Sequence, residues 1–271
     1  MLLPSAASLD LGAPLAHYRE HGWARLGPTI AEDALLALRE RARQIMLGEV
    51  VHEGLFFQHD AATGRYDDVP RGKGWQGPSL RYRKLDRLER DPLFRALIDN
   101  PLFARVAHAA IGPAVALYRA VLFNKAAEGG TLLPWHQDGG SFWGLSRDPD
   151  LQIWTALDDT PEESGCVELI PGTHRQGLAT PLGGVIPDER FAASGFGPGA
   201  IRVPARAGET LLIHNHLWHR SGTNSTGAPR RALTVCLMDA AITCRRRRAP
   251  RQFLRLYDGA GQEPAAPGTA P

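Results

Sequence analysis

The residues best suited to chemistry in this 271-residue chain are His136 and Asp138, in the run Trp135-His136-Gln137-Asp138. In an extended strand alternate side chains point the same way, so an imidazole and a carboxylate two positions apart project together into one space. A second histidine, His219, follows 83 positions later, after the apolar run Gly208-Glu209-Thr210-Leu211-Leu212-Ile213-His214. Two imidazoles and one carboxylate on one face of an octahedron bind Fe(II) and leave three positions open for a co-substrate and O2. Alone, a His-x-Asp pair also fits a surface strand with polar residues outward. The third ligand must come from another strand of the same sheet system.

Bulk composition narrows the classes. The chain is 43% hydrophobic and 22% charged, ordinary values for a folded globular protein. A net charge of +2 gives no support for nucleic acid as the main partner. No run of about 18 apolar residues marks a membrane span. The first residues, with Pro4 and Asp10 and no early Lys or Arg, do not read as a secretory signal. The three cysteines, Cys166, Cys236 and Cys244, are odd in number and unpatterned, so neither a disulfide framework nor a Cys-rich zinc site is expected. The expected location is a reducing cytoplasm. Nothing in the sequence marks an oligomeric state.

The elements that must position these ligands follow in order. Residues 1–28 read as an irregular lead-in with a short strand around Trp23–Leu26. Thr29-Ile30-Ala31-Glu32 has the form of a capping box. Leu35, Leu38, Ala42, Ile45 and Met46 then recur at helical spacing up to a stop at Gly48. Residues 52–80, rich in Gly, Asp and aromatics, read as a long loop, either a lid or a surface segment. Asp91-Pro92 and Asn100-Pro101 each place a capping side chain before a first-turn proline, predicting helices over about 92–99 and 101–111. From residue 115 short strands take over: Val115–Asn124, Leu151–Leu157, Cys166–Ile170, Thr210–Ile213 and Ala232–Met238. Helices followed by a run of strands predict a mainly β fold with flanking α, a helix-buttressed β-sandwich or jelly roll. The expected organisation is one domain over 1–258, with a helical part at about 29–112, a jelly-roll core at about 113–244 and a disordered tail at 259–271. Arg245–Arg248 reads as a solvated run, with an acidic partner or substrate as the alternative.

Between about 121 and 239 the sequence resembles the phytanoyl-CoA dioxygenase family of Fe(II)/2-oxoglutarate oxygenases. The matching segments are Asn124-Lys125, Pro134-Trp135-His136-Gln137-Asp138 and Ile153-Trp154-Thr155-Ala156-Leu157-Asp158-Asp159. Glu163-Ser164-Gly165-Cys166, Ile170-Pro171-Gly172-Thr173-His174, and His219-Arg220-Ser221-Gly222-Thr223-Asn224 leading to Pro229-Arg230-Arg231 complete the order. The resemblance implies a double-stranded β-helix core, of jelly-roll or cupin-like type, buttressed by the N-terminal helices. It also implies iron ligands His136, Asp138 and His219, with 2-oxoglutarate and O2 as co-substrates. The family anchors the far carboxylate of 2-oxoglutarate with an arginine about eleven residues after the second histidine, which falls on Arg230. A guanidinium offers two parallel N–H groups and keeps its charge, which suits that task. Arg231 next door would serve if the strand register were shifted by one. The same resemblance places Trp154 and Val121 at the co-substrate pocket, with Lys84, or Arg83 beside it, contributing a basic group.

The implied reaction oxidises a C–H bond of a small molecule and releases succinate and CO2. Hydroxylation is the default, with desaturation, epimerisation and ring formation open. Related halogenases lack the carboxylate ligand, so Asp138 argues against halogenation. The alternative is a metal-binding, cupin-like isomerase or sensor domain, which would need no anchor such as Arg230. For the substrate pocket we expect Phe57, Trp75, Phe142 and Trp143, with Phe56 and Phe196 nearby. These aromatics fit an apolar or ring-bearing small molecule; packing of the scaffold is the alternative. A composition rich in Ala, Arg, Gly and Pro suggests a tailoring step in natural-product biosynthesis. Of the other histidines, His174 is expected to fasten a turn, His214 to support the ligands, and His216 to face either cavity or solvent. A second metal held by His214, His216 and His219 is conceivable.

Overall fold

A computed structural model describes residues 2–127, 129–248 and 250–258. The tail expected to be disordered lies outside the described residues. Among the described residues six α-helices run α1 Pro4–Ala7, α2 Gly12–His21, α3 Glu32–Leu47, α4 Pro92–Ile98, α5 Pro101–Ala110 and α6 Asp188–Ser194. The strands are β1 Trp23–Pro28, β2 Phe56–His59, β3 Tyr82–Asp86, β4 Ala114–Lys125, β5 Leu133–Gln137, β6 Leu151–Ala156 and β7 Val167–Leu169. They continue as β8 Gly184–Val185, β9 Ile201–Val203, β10 Glu209–His214, β11 His219–Ser221, β12 Arg230–Asp239 and β13 Leu254–Asp258.

These strands form two antiparallel sheets, the jelly roll expected from the sequence. The larger, eight-stranded sheet runs β1-β10-β6-β12-β4-β3-β2, with β13 also on β4. The smaller, five-stranded sheet runs β8-β5-β11-β7-β9. Alternation along each strand of the large sheet sorts its residues onto two faces. On one face Leu122, Ile153, Leu212, Leu233 and Val235 pack against α3, α4 and α5 through Leu35, Leu38, Ile45, Phe94, Ile98 and Phe103. On the other face Trp154, Leu211, Ile213 and Ala232 meet Val167, Leu169 and Val203 of the small sheet. The site opens from this inter-sheet space.

The capping signals of the middle helices hold. Asp91 accepts from the amides of Leu93 and Phe94, and Asn100 from that of Phe103, so both proline-headed helices start where their side chains satisfy the orphan N–H groups. Helix α3 ends at Gly48, whose φ of +77° suits a residue without Cβ. Three expectations are corrected. The lead-in is not irregular: it contains α1 and α2, and Leu15 and Tyr18 of α2 are buried, as is Leu11 just before it. Thr29 does not cap α3, because its hydroxyl is turned into the sheet against Thr210 (2.7 Å) and the helix starts at Glu32 with no side-chain cap. The stretch 52–80 is not wholly loop, since β2 within it pairs with β3. Among the described residues, no helix is long and apolar enough to cross a membrane.

Candidate metal centre and its cavity

His136 and His219 are direct partners across the β5–β11 ladder, which brings residues 83 positions apart to a ring-centroid distance of 4.0 Å. Asp138 follows at the end of β5 on the same side as His136, its amide bonded to the carbonyl of Asn215. One ligand atom from each of the three lies within 4.8 Å of the others, the one such group among the described residues. Among the described residues no other combination, including His214 with His216, gathers in this way.

Each imidazole is fixed by its own strand. Nδ1 of His136 stands 2.9 Å from the carbonyl of Pro134, and Nδ1 of His219 stands 2.8 Å from that of Leu217. A carbonyl only accepts, so each Nδ1 carries the proton and each Nε2 presents a lone pair to the centre. Burial, with His219 alongside, lowers the His136 pKa to about 3, which keeps that ring neutral. Burial would raise the pKa of Asp138, but Arg119 and the two histidines outweigh it and hold the carboxyl at about 2. Arg119 Nη2 donates to Oδ1 (3.2 Å) and Gln152 Nε2 donates to Oδ2 (2.8 Å). Two oriented imidazoles and one ionised, oriented carboxylate are the donor set that suits Fe(II) with open positions.

The three ligands open into a cavity of about 720 Å3 between the sheets. Arg230, at the head of β12 opposite Lys125, points into it and is 3% exposed. Its Nε and Nη2 have no hydrogen-bond partner, and its Cζ lies 5.4 Å from the ring centre of Trp154. Burial lowers its pKa to about 10, so it remains charged at neutral pH. A buried guanidinium with unmet donors beside three metal ligands fits the far carboxylate of a bidentate keto acid. Thr234, also in the wall, carries a buried hydroxyl without a partner. Arg231 faces the other side of the sheet and grips Asp158 through Nε (2.7 Å) and Nη2 (2.9 Å).

Of the other residues singled out from sequence, Trp154, Lys84, Arg83, Phe142 and Trp143 line the cavity. Lys84 and Arg83 both reach it because the β2–β3 register shifts between Gln58 and His59, leaving Arg83 as an extra residue in β3. Val121 lies on the same strand face as Arg119 and Phe123 but is fully buried, outside the cavity wall. Three further expectations are corrected. Phe57 belongs to the helix-side core at 4% exposure, and its neighbour Phe56 lines the cavity instead, because adjacent strand residues face opposite ways. Trp75 is outside the cavity; its indole N–H reaches the carbonyl of Met46 (3.4 Å) beside Gly48. Phe196 packs edge-on against Trp218 in a separate apolar cluster.

His174 does tie a turn, through Nε2 to the carbonyl of Arg19 (3.2 Å). His214 does not support the ligands: burial lowers its pKa to about 3, and it sits among His174, His216 and Tyr18. His216 holds Asp148 (2.9 Å), whose carboxylate also accepts from the amide of Gly140 in the turn after the ligands. Sequence reasoning missed Arg119 and Gln152. The signal available was a polar side chain inside an otherwise apolar strand, which must find a partner when buried.

The sequence model of the family described as phytanoyl-CoA dioxygenase (PhyH) matches residues 18–232. The phytanoyl-CoA dioxygenase domain-containing protein 1 of Mus musculus is 30% identical over 168 residues, 56% of this chain and 55% of the mouse protein. The chain therefore spans about half the length of such curated relatives. The L-proline trans-4-hydroxylase of Streptomyces griseoviridis is 28% identical, covering 84% of this chain and 87% of that enzyme. Among solved structures, EctD from S. alaskensis with 2-oxoglutarate and 5-hydroxyectoine superimposes with a TM-score of 0.71 at 18% identity, over 96% of this chain and 88% of that one. At that identity the likeness is one of fold.

Proposed function

This chain belongs to the phytanoyl-CoA dioxygenase family, and from that premise we propose that it is an Fe(II)- and 2-oxoglutarate-dependent oxygenase that hydroxylates an unactivated C–H bond of a small molecule. The observation that carries the reading is the meeting of a three-ligand centre and an unpaired, buried guanidinium in one cavity. Bound there, iron and 2-oxoglutarate supply activation of O2 coupled to decarboxylation of the keto acid to succinate and CO2.

The chain's own residues do the rest. His136 and His219 offer lone pairs whose direction their backbone hydrogen bonds fix. Asp138 stays ionised because Arg119 and Gln152 hold both of its oxygens. Arg230 offers Nε–H and Nη2–H to the far carboxylate, and the nearby face of Trp154 limits where that guanidinium sits. Lys84 shares the cavity with Asp86, 3.6 Å away. Phe56, Tyr118, Phe142 and Trp143 are among the aromatic residues of the wall, with Phe142 largely exposed at 70%. Asp138 fills the position that halogenation would leave to chloride, so oxygen transfer is favoured. A cupin-like isomerase or sensor would leave Arg230 buried without a purpose, at a desolvation cost of several kcal/mol on general grounds.

The test is an anaerobic visible spectrum of the protein with Fe(II) and 2-oxoglutarate. A weak charge-transfer band at about 500 nm, absent in His219→Ala, supports the reading, since it needs both the ligands and open positions on the metal. Fe(II) binding without that band, or a band unchanged in His219→Ala, sinks it.

A further inference from the structure

The cavity wall holds nine Lys or Arg side chains against three Asp, and even with Lys125 partly neutral near pH 7 the positive charge exceeds what the co-substrate site needs. The three carboxylates are already engaged. Asp138 is held by Arg119 and Gln152, Asp60 accepts from the amide and hydroxyl of Thr131 through Oδ1 while its Oδ2 is without a partner, and Asp86 stands beside Lys84. Arg220 is neutralised by Glu168 in a two-point pair at 2.9 Å.

Two of the cavity cations without a counter-ion, Arg246 and Arg251, flank one aromatic stack, while Arg83, Arg87 and Lys125 bond neutral oxygens elsewhere in the wall. Tyr118 and Trp143 lie 4.4 Å apart and nearly parallel at 11°. Arg251 places its Cζ 4.8 Å from the Tyr118 ring centre and donates to the Tyr118 carbonyl (2.7 Å). Arg246, from the arginine run noted in the sequence, reaches the same wall and donates to the carbonyl of Phe142 (3.0 Å). Its side chain fills the space beside Gly144, where a Cβ would come within 2.8 Å of it. Among the described residues neither Arg246 nor Arg251 is in an ion pair; both have carbonyl partners that leave donors free and the charge unmatched. Both residues are solvent-exposed, each held by one backbone carbonyl beside the aromatic wall, and their remaining N–H groups can donate to an oxyanion.

We propose that the substrate is a small-molecule acid whose carboxylate or phosphate is gripped by Arg246 and Arg251, with its carbon skeleton against the Tyr118–Trp143 stack. This rests on the oxygenase reading for what happens to the C–H bond, but the grip itself is a binding site that stands apart from the iron ligands and from Arg230. A cavity of this volume accepts a small molecule.

The test titrates the protein, loaded with Mn(II) and saturating 2-oxoglutarate so that Arg230 is occupied, with phenyl phosphate, phenylacetate and the neutral 2-phenylethanol. Tryptophan fluorescence and calorimetry read binding. The expectation is that at least one acid binds tenfold or more tightly than the alcohol, and that Arg246→Gln and Arg251→Gln each weaken it by roughly tenfold or more. Arg251→Lys, which keeps a charge but loses the fork, should weaken it less. The stronger acid identifies which oxyanion is preferred. Equal binding of acid and alcohol, no binding of any probe, or unchanged binding in both glutamine variants overturns the proposal. If 2-oxoglutarate fails to bind while phenyl phosphate still depends on Arg246 and Arg251, the grip stands and the oxygenase reading falls.

Discussion

Arg230 and Arg231 are adjacent in β12, yet their guanidiniums lie on opposite faces of the large sheet. Arg230 faces the cavity beside Trp154 with two donors unmet, and Arg231 clamps Asp158 and reaches the carbonyl of Arg39 on α3. The register that pairs Arg230 with Lys125 fixes this division. Arg230→Met should weaken 2-oxoglutarate binding on the order of 100-fold, the loss expected when a buried charge pair is deprived of one partner, while the melting temperature of the ligand-free protein should rise, because a buried, unpaired charge is removed. Arg231→Met should do the reverse. It leaves Asp158 without its fork and destabilises the fold by about 2–3 kcal/mol, with 2-oxoglutarate affinity intact. Calorimetric titration and thermal melts of the two variants, side by side, check the assignment; exchanged phenotypes would assign the anchor to Arg231.

Gln152 is the cleaner of the two groups that orient Asp138. It donates to Oδ2 at 2.8 Å and carries no charge, whereas removing Arg119 would also relieve its repulsion of a divalent ion. Gln152→Leu should therefore lower Fe(II) affinity by about 10–100-fold, the range typical for groups that hold a ligand in place. Competition against a chromophoric chelator measures it. Affinity equal to wild type would mean that Asp138 is oriented without Gln152.

How much of this was legible in the sequence follows from which interactions are local. The triad could be read because a His-x-Asp pair on one strand face and a distant histidine meet the demand of one metal. Asp91 and Asn100 could be read because a cap is made within three residues of itself. Arg230 could be nominated but not separated from Arg231, since strand parity depends on pairing with β4. Helix α2 was missed because Gly12 and Pro14 interrupt its pattern, and its burial comes from packing against β1 and β10. The reach of Arg246 and Arg251 to the cavity was invisible for a similar reason. It depends on the excursion after β12 that returns as β13 along β4.

Lys125 makes stability depend on pH. Burial, with Arg230 nearby, lowers its pKa to about 7, whereas an unfolded lysine titrates near 10.4. Between these values the unfolded chain binds a proton that the folded chain does not, so stability rises with pH. Lys84, lowered to about 8 chiefly by burial, joins from above pH 8. The Cys236 thiol, pushed up to about 12 by burial, works the opposite way once an unfolded thiol ionises near 8.5. The window is therefore pH 7 to about 8.5. Urea unfolding of metal-free protein should show the midpoint rising across it, and Lys125→Met should flatten that rise. A slope that persists unchanged in the variant would assign the dependence to other groups.

Phe56 and Phe57 give the sharpest test of how β2 is placed. Phe57 pairs with Leu85, lies 5.0 Å from the ring of Tyr82 and belongs to the core beneath the helices. Phe56 pairs with Asp86, faces the cavity, and has the Lys84 ammonium 5.7 Å from its ring centre. Phe57→Ala removes a buried aromatic and should destabilise the protein by about 3–5 kcal/mol, as large-to-small changes in a packed core do. Phe56→Ala should leave the urea midpoint within about 1 kcal/mol of wild type and alter the cavity. Its expected signature is weaker protection of the Fe(II)–2-oxoglutarate chelate from solvent, seen as a shift or loss of the visible band. A one-residue slip of β2 would exchange the two results, because it turns every side chain of the strand to the opposite face.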